Sequence, residues 1–410
     1  MNASDLTNTA PLSGIRVLDL GRHLAGPTAG MWLGDLGADV IKVEWPPHGD
    51  HGRGAGPPFF EGESAFFISA NRNKRSVVVD CKVPEGQEIF RKLAADADVI
   101  IENFRPGVMD ALNIGYDRIS ETNPGIIYLS VSGFGADGPV ADRPGLDQII
   151  QGFSGLMSTT GFEGGPPVRV GIPIADLVTG LFGAYGVLAA LQARERTGKG
   201  QRVETSLLES MVGLLAFQAT RYLNGAGVPP PAGNHHPINA PYGVFQASDG
   251  YITIGASGGK RWPQFCELVG APEFLEDERF QDNGGRYEHR ELLADLISEK
   301  LQSKTVDEWV ELFNREGIPS GPIYDMEQAL EHPQIKHREM VVEVDHPTMG
   351  VARLLGLPVK FSDTPGQVFA PPLLGQHTAD VLGELGIDQA EMERLEEAGV
   401  IVRAEQPVTT

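Results

Sequence analysis

The stretch IRVLDLGRHLAGPTAGMWLGDLGADVIKVE, residues 15–44, decides the fold. Its first six residues are mostly apolar and precede a turn, which is typical of a buried strand. Residues 28–36 have the pattern of a short helix that stops at Gly37, and residues 39–44 repeat the strand pattern. A strand, a helix and a second strand in this order form a βαβ unit, and such units normally build parallel sheets.

The same alternation continues along the chain. Further strands are predicted at residues 76–80, 98–102 and 126–131, with a helix at residues 85–95. Helical periodicity then dominates residues 176–193 and 207–223. Strands that alternate with helices predict an α/β fold with an open, doubly wound sheet.

A linker and a second domain follow. The segment GAGVPPPAGNHHP, residues 225–237, is rich in Gly and Pro. Beyond it, residues 242–245 and 251–254 flank Ala-Ser-Asp-Gly, which predicts a hairpin, and helical patterns follow. We therefore predict the first part of a large domain, a linker and a small α/β domain at residues 1–224, 225–240 and 241–330. Residues 331–410 follow the small domain as a separate segment.

Composition limits the partners. The 410 residues include 33 basic and 55 acidic side chains, a formal charge of −22. That field repels nucleic acid and anionic membranes, so neither is an expected partner. The longest mainly apolar stretch, residues 177–191, is too short to span a bilayer and predicts a buried helix. Two cysteines and a polar start without a signal pattern favour a cytoplasmic location.

The first loop, Gly21–Pro27, allows two interpretations. A loop between a strand and a helix can hold phosphate on backbone N–H groups, or it can merely turn the chain. Its glycines do not fit G-x-G-x-x-G, so a dinucleotide site is disfavoured even though Glu44 could mimic the ribose-binding acid.

Asp176 is the most informative single residue. It follows an apolar, Pro-containing segment and precedes a long apolar helix. It could be a helix N-cap, for which Asp is a favoured residue. It could also be a reactive carboxylate whose pKa is raised by apolar neighbours. Both interpretations stay open at the level of residue patterns.

Metal binding is not predicted. His235 and His236 are adjacent and have no partner at ligand spacing. Asp137, Asp142 and Asp147 are irregularly spaced and lack the glycine and glutamate of a calcium loop, which favours solvated turn acids.

Nine segments, taken in order, resemble the class III coenzyme A transferases, the CaiB/BaiF family, which includes formyl-CoA transferase, the carnitine and bile-acid CoA transferases and the α-methylacyl-CoA racemases. The segments are LSGIRVLDLGRHLAGP (12–27), LGADVIKVE (36–44), NRNKRSVVVD (71–80), ADVIIENFRPG (97–107), GFGADGPVADRPGLD (133–147), GIPIADLVTG (171–180), TGKGQRVETSLLESM (197–211), GIPSGPI (317–323) and PLLGQHT (372–378). The resemblance implies a large Rossmann-like domain, a small domain and two linkers. It further implies a homodimer of interlocked chains and a C-terminal segment that returns to the large domain.

The resemblance also implies site residues. Asp176 matches the nucleophile, and Asp147 matches an auxiliary acid of the formyl-CoA branch. The active-site loop matches Gly233, Asn234, His235 and His236, where the histidines either touch the acyl group or only shape the linker. The positions that match CoA contacts are Leu24, Ala25, Val79 to Lys82, Asn103, Phe104 and Arg105.

Departures from the family pattern affect the CoA contacts and the substrate. Trp45 and Ala111 stand where basic residues are expected, and Arg105, Lys82 or Arg72 are candidates for the missing charge. The loop has few glycines, and Ala55 stands near the place of an aromatic gate. These changes predict an acceptor acid larger than oxalate, with succinyl-CoA and a dicarboxylic or hydroxy acid as a plausible pair.

The implied activity moves CoA from an acyl-CoA thioester to a free carboxylic acid. An aspartate nucleophile would form anhydride and aspartyl-CoA thioester intermediates, so no ATP motif and no tightly bound cofactor is required. The alternatives are an α-methylacyl-CoA racemase and a non-catalytic CoA-binding protein. A racemase needs a His where this chain has Leu146 and an acid near Ser257, where none is present.

Overall fold

The computed structural model describes residues 9–404. Within that range the chain forms fourteen strands, which are numbered in chain order: β1 Arg16–Asp19, β2 Asp39–Glu44, β3 Phe59–Phe60, β4 Glu63–Ser64, β5 Lys74–Val79, β6 Val99–Glu102, β7 Ile127–Ser132, β8 Gln201–Ser206, β9 Tyr242–Gln246, β10 Tyr251–Gly255, β11 Ser320–Pro322, β12 Val341–His346, β13 Gly350–Leu355 and β14 Ile401–Val402.

The same range contains eighteen α-helices: α1 Ala25–Asp35, α2 Ala65–Ala70, α3 Pro84–Ala95, α4 Val108–Ala111, α5 Tyr116–Ser120, α6 Asp147–Phe153, α7 Leu156–Thr159, α8 Ile174–Thr197, α9 Leu207–Leu214, α10 Ala216–Leu223, α11 Arg261–Leu268, α12 Asn283–Glu288, α13 Arg290–Leu301, α14 Val306–Arg315, α15 Met326–Glu331, α16 Pro333–His337, α17 Thr378–Glu384 and α18 Gln389–Glu397.

The chain divides into two compact units. The large unit comprises residues up to 156, 169–223 and from 334 onward, and the small unit comprises residues 157–168 and 224–333. Residues 157–168 therefore belong to the small unit, although the sequence pattern assigned them to the first part of the large domain.

A seven-stranded sheet forms the centre of the large unit, in the order β14-β5-β2-β1-β6-β7-β8. Its first six strands in chain order are parallel, as predicted, and β14 pairs antiparallel with β5. The strand order reverses between β1 and β6. In open α/β sheets this reversal opens a crevice at the carboxyl ends of the strands, where ligands bind.

Two edge strands were not predicted from the sequence. Strand β8 has only one buried residue, so its hydrophobic signal is weak. Strand β14 is two residues long, yet Ile401 packs into the same core as Val79 of β5. The C-terminal segment thus closes one edge of the large sheet.

Helix α8 crosses α1 at a very short distance because both helices carry small residues. A Cβ at Gly180 would lie 2.7 Å from the Cβ of Thr28 and 2.8 Å from the carbonyl oxygen of Ala25. Gly183 faces Leu129 of β7 in the same way. The crossing therefore needs glycine at position 180 and places the start of α8 beside the start of α1.

The prediction that residues 177–191 form a buried helix is only half correct. Ala184 and Val187 are buried, whereas Leu181 and Tyr185 are 55% and 69% exposed. With its 24 residues, α8 has the length and hydropathy of a membrane-crossing helix, which is weak evidence because core helices of soluble proteins share both properties. The predicted single helix at 207–223 is in fact α9 and α10, separated where Ala216 has a φ of 44°.

The small unit is built on a three-stranded antiparallel sheet in the order β11-β10-β9. The hairpin of β9 and β10 is where the sequence predicted it. Aromatic rings fill the core beside this sheet. Phe265 and Phe313 are fully buried, and Trp309 stacks on Phe313 with 5.1 Å between ring centroids.

Candidate active site

The loop after β1 meets the end of β6 at the point where the strand order reverses. The side chain of Asn103 accepts a hydrogen bond from the backbone N–H of Arg22 and donates one to its carbonyl oxygen, both at 2.8 Å. A Cβ at Gly26 would lie 3.2 Å from the Cγ of Asn103. The first loop and residue 103 therefore form one rigid edge, with the first turn of α1 beside it.

Buried ion pairs beneath the surface hold the first loop, Gly21–Pro27, in place. Lys74 contacts Asp19 at 2.7 Å, and both side chains are fully buried. Lys42 contacts Asp50 at 2.8 Å and donates to the carbonyl oxygen of Gly21. Burial lowers the pKa of Lys74 to about 8, although the charge of Asp19 acts in the opposite direction. Charges in the interior are costly unless they are paired, so this network strongly constrains the loop geometry.

Asp50 links this network to the backbone of the loop. Its carboxylate accepts the N–H groups of His23 and Gly52, each at 2.9 Å. Although burial opposes ionisation, the charge of Lys42 and these hydrogen bonds lower the pKa of Asp50 to about 2. Asp50 therefore remains a carboxylate through the physiological range.

Trp45 lies at the centre of an aromatic cluster. Its ring stacks on Phe104 with 5.0 Å between centroids and an interplanar angle of 11°. The guanidinium carbon of Arg22 lies 4.1 Å from the centroid of Trp45, and the ammonium of Lys82 lies 5.4 Å from it. The structure thus brings two of the predicted CoA contacts, Phe104 and Lys82, to one place, together with Trp45 and Arg22.

The other residues predicted for CoA are arranged differently. Leu24, Ala25 and Val79 are buried, so the structure does not expose them to a ligand. Arg105 is exposed. Arg72 donates two hydrogen bonds to Asp35, at 2.8 and 2.6 Å, and is therefore not available to a ligand.

Asp176 is the third residue of α8, whose N-cap position is Pro173. The interpretation of Asp176 as the N-cap is therefore wrong. The cap comes from another segment, because Asp147 accepts the N–H groups of Ala175 and Asp176 at 2.7 and 3.3 Å. A carboxylate that binds first-turn N–H groups both satisfies and charge-stabilises the helix start.

Asp147 is consequently not the solvated turn acid that its spacing predicted. It is partly buried at the start of α6, and its second oxygen accepts a hydrogen bond of 2.6 Å from the amide of Gln151. The carbonyl of that amide accepts the N–H of Val170 at 2.9 Å. Gln151 was not identified from the sequence, because a single amide inside a short helix belongs to no motif.

The environment of Asp176 suits a carboxylate that takes part in chemistry. Burial and, to a smaller extent, the nearby charge of Asp147 raise its pKa to about 7. A poorly hydrated carboxylate is a stronger nucleophile when it is ionised, and one with a pKa near neutrality can also exchange a proton. Perturbed acids of this kind concentrate at functional sites.

The position of Asp176 connects it to the first loop. Gly180, where α8 meets Ala25, lies one helical turn after Asp176 and on the same face. Four residues of helix rise by about 6 Å, so Asp176 lies about that far along α8 from the point where α8 contacts α1. The acid and the loop are therefore close within the large unit.

A polar cavity of about 180 Å³ opens at the carboxyl ends of β6 and β7. Its wall includes Glu102, Arg105, Tyr128 and Arg202. The carboxylate of Glu102 accepts the N–H of Phe104 at 2.8 Å, and burial raises its pKa to about 7. This acid therefore supports the backbone that carries the aromatic cluster.

The predicted substrate loop lies in the small unit. Gly233, Asn234 and His235 line a cavity of about 450 Å³ together with Arg290, and burial lowers the pKa of His235. His236 is turned differently. Its ring stacks on Tyr242 at 4.8 Å, and its Nδ1 accepts the N–H of Ile238. Of the two histidines, His235 alone lines this cavity.

Metal ligands are not grouped in the part of the chain that the structure describes, where no cluster of three or more His, Cys, Asp or Glu side chains could hold an ion.

Fold and site together define a doubly wound α/β protein with a poorly hydrated carboxylate near its ligand crevice. The model of the family described as CoA-transferase family III matches residues 12–378. The succinyl-CoA:glutarate CoA-transferase of Homo sapiens is 41% identical over 400 residues, which cover 97% of this chain and 91% of that protein. The succinate–glutarate CoA-transferase of Agrobacterium fabrum is 38% identical over 390 residues, which cover 93% of this chain and 98% of that protein.

The solved structures agree with this match. A CAIB/BAIF family protein from Brucella suis superposes with a TM-score of 0.83 at 40% identity, and the match covers 92% of this chain and all of that one. The chain therefore belongs to CoA-transferase family III, the CaiB/BaiF family. It is a CoA transferase that uses CoA thioesters and carboxylic acids as substrates, so the resemblance noted in the sequence is confirmed.

Proposed function

We propose that the enzyme transfers CoA from succinyl-CoA to a dicarboxylic acid with Asp176 as the nucleophile. The observation that carries this proposal is the position of Asp176, a poorly hydrated acid whose helix start is capped by Asp147. Leu146, next to Asp147, is 67% exposed and apolar. A side chain that cannot move a proton at this place does not favour racemase chemistry.

The exchange proceeds in four balanced steps. The Asp176 carboxylate attacks the donor thioester and releases CoA thiolate, which leaves a mixed anhydride. The thiolate then attacks the aspartyl carbonyl, so the donor leaves as a free acid and an aspartyl-CoA thioester remains. The acceptor carboxylate attacks this thioester to form a second anhydride and thiolate. Finally, the thiolate attacks the acceptor acyl carbon and regenerates Asp176.

This route makes specific demands on the protein. Anhydrides hydrolyse readily, so water must be kept from Asp176 during the reaction. The N–H groups at the start of α8 already donate to Asp147 and to backbone carbonyls, so the donors for the oxyanions must come from other backbone N–H groups. The exchange replaces one thioester by another, so the chemistry needs no ATP and no tightly bound cofactor.

The choice of substrate rests on the relatives. Two of them are transferases for glutarate, a five-carbon dicarboxylic acid, with succinyl-CoA or succinate as the partner substrate by name. The loop at Gly233–His236 lines a cavity with Arg290, which is paired with Glu163 at 3.3 Å. We propose that this loop selects the acceptor and that His235, which lines the cavity, is its most informative residue.

We also propose that the active form is a homodimer. Helices α8, α9 and α10 leave a broad apolar surface uncovered in the single chain, on which Tyr185, Phe217 and Tyr222 are 69%, 45% and 58% exposed. Soluble proteins rarely leave such a surface open, and a second copy of the chain is the simplest cover. Sedimentation of the purified protein, with and without detergent, distinguishes a dimer from a membrane-associated monomer. The predicted cytoplasmic location stays a prediction.

Oxygen tracing tests the chemical route. When the acceptor acid carries ¹⁸O in its carboxylate, one labelled oxygen remains on Asp176 after the final step. In a later turnover in which this oxygen attacks succinyl-CoA, it becomes the bridging oxygen of the anhydride and leaves with the released succinate. Mass spectrometry of succinate should therefore detect ¹⁸O only when the labelled acceptor turns over. If CoA moved without an enzyme anhydride, labelled succinate could form only through a mixed anhydride of succinate and the acceptor acid. That anhydride does not involve Asp176 and would also form in Asp176→Ala. Labelled succinate from that variant would therefore contradict the proposal.

A further inference from the structure

Unpaired cations surround the stack of Trp45 and Phe104. The guanidinium of Arg22 lies 4.1 and 4.7 Å from the two ring centroids, and the ammonium of Lys82 lies 5.4 Å from Trp45. Among residues 9–404, no carboxylate is within ion-pair distance of Arg22, Lys82 or Arg105. The protein has a net charge of −22, so cations without a paired carboxylate are candidates for binding an anionic ligand.

The other cations at this edge are already neutralised. Lys42 and Lys74 are paired with Asp50 and Asp19. Arg53 makes two hydrogen bonds of 2.7 Å to Glu44. Because a buried cation that loses its partner is strongly destabilising, these residues cannot be diverted to a ligand. The charge available to an anionic ligand is therefore on Arg22, Lys82 and Arg105.

Arg22 is the best positioned of the three. Its backbone is held on both sides by Asn103, and its guanidinium rests on two aromatic rings. It is partly buried, whereas Lys82 and Arg105 are exposed. A cation that is already held in place loses little side-chain entropy on binding, and partial burial reduces screening by salt.

The Arg22 guanidinium keeps its positive charge at neutral pH. Burial lowers its pKa, while the charge of Asp50 acts in the opposite direction. Guanidinium groups remain charged in proteins, so Arg22 is a cation at neutral pH. Its stacking on Trp45 is a cation–π contact, which leaves the N–H groups at the rim of the guanidinium free to donate.

We propose that Arg22, held on the Trp45–Phe104 stack, binds a phosphate group of the CoA nucleotide. CoA carries a diphosphate and a 3′-phosphate, and charge-assisted bonds from a planar guanidinium suit both. The inference rests on the CoA transferase activity and on the ligand crevice proposed above. It makes Trp45 a positioning residue, because the indole acts through Arg22.

Calorimetric titration with CoA and with pantetheine, which lacks the nucleotide, tests the proposal. Arg22→Gln should weaken CoA binding by roughly 10- to 100-fold, the usual effect of losing a hydrogen bond to a charged group. Pantetheine, measured by competition, should change by less than about twofold, since it has no phosphate. Arg22→Lys should restore part of the CoA affinity, because an ammonium retains the charge but not the fork geometry.

Two further variants sharpen the test. Arg118→Gln removes an exposed arginine that is paired with Glu121 on α5, and it should leave CoA affinity unchanged. Trp45→Leu removes the ring under the guanidinium, so Arg22→Gln should cost less affinity in that background than in the wild type. Trp45→Phe serves the same purpose if the leucine variant does not fold.

The proposal is overturned if Arg22→Gln weakens CoA and pantetheine equally, which would indicate a structural role. It is also overturned if Arg22→Gln has no effect while Lys82→Gln or Arg105→Gln weakens CoA. Titration with 3′-dephospho-CoA then assigns the phosphate: a remaining Arg22 effect identifies the diphosphate and a lost one the 3′-phosphate, and both results support the proposal.

The same experiments distinguish a failure of the proposed Asp176 nucleophile from a failure of the proposed Arg22–phosphate contact. If Asp176 forms no covalent intermediate but Arg22→Gln still weakens CoA selectively, the binding inference stands and the nucleophile is wrong. If the intermediate forms normally and Arg22→Gln keeps full CoA affinity, the binding inference alone is wrong.

Discussion

The large and small units are stabilised in different ways. In the described residues the large unit buries eight charged side chains, namely Asp19, Asp35, Lys42, Glu44, Asp50, Arg72, Lys74 and Glu102. The small unit buries one, Arg286, which donates to backbone carbonyls, and it fills its core with aromatic rings. Part of the buried charge in the large unit, including Asp19, Lys42, Asp50 and Lys74, holds the first loop. The comparison indicates that charge there holds loops in place for chemistry, whereas the small unit is held by packing.

The largest expected effect is the loss of catalytic activity when the nucleophile in the large unit is removed, compared with a change in the small unit. Asp176→Asn keeps the size of the side chain but removes the nucleophile, so kcat/KM should fall by at least about 10³-fold. His235→Gln in the small unit should mainly change KM for the acceptor acid, by less than about tenfold. Steady-state kinetics with both variants, and with Asp176→Ala as a second removal, checks this contrast. Equal losses of kcat/KM in the Asp176 and His235 variants would show that Asp176 is not the nucleophile.

The second prediction tests buried charge against exposed charge. Lys74→Met leaves the Asp19 carboxylate buried without its cation and should cost about 3–5 kcal/mol of stability. Lys300→Met removes a cation from the small unit, where its pair with Glu273 is exposed, and should cost less than about 1 kcal/mol. Urea unfolding of the two variants measures the difference. If both variants lose similar stability, buried charge does not hold the large unit as described.

The third prediction concerns the aromatic core of the small unit. Phe313 is fully buried and contacts Trp309 and Phe265. Phe313→Leu removes ring stacking and leaves a small void, which should cost about 1–2 kcal/mol. Activity per folded molecule should remain. Calorimetric melting combined with turnover separates the two effects, and a loss of turnover without a loss of stability would contradict the division of roles.

The smallest predicted effect is a displaced pH profile. The reaction needs ionised Asp176, and burial raises its pKa to about 7 with a contribution from Asp147. The rate should therefore rise with pH up to about 7 and then level. Asp147→Asn removes the neighbouring charge, so the rising limb should move to lower pH by up to about one pH unit. A limb that stays in place, or moves to higher pH, would show that Asp147 does not act on Asp176 through its charge.

The sequence predicted those parts of the fold that have strong local signals. The strands predicted at residues 39–44 and 98–102 and the hairpin of the small unit have apolar runs with turn residues beside them. Strand β8 was missed because its side chains are mostly polar or exposed, and β14 because two residues carry no period. These strands depend on a partner that lies far away in the chain.

The site was predicted less completely. Asp176 and the segment 103–105 belong to recognisable motifs, but the way Asp147 caps α8 depends on a contact across 28 residues. Gln151 and Arg22 were not identified, since an amide in a helix and an arginine in a loop are common. Trp45 was noted only as a departure from the expected basic residue. Its stacking on Phe104 joins two segments that are far apart in sequence, which residue patterns cannot show.

The most direct test of the account is to trap the intermediate on Asp176. The enzyme is mixed with succinyl-CoA and quenched with hydroxylamine, which converts an anhydride or thioester to a hydroxamate, and the digest is examined by mass spectrometry. We expect the hydroxamate on the peptide that contains Asp176, and none in Asp176→Asn or without the acyl-CoA. An active enzyme that yields no hydroxamate at Asp176, or one that yields it at another acid, would contradict the central claim.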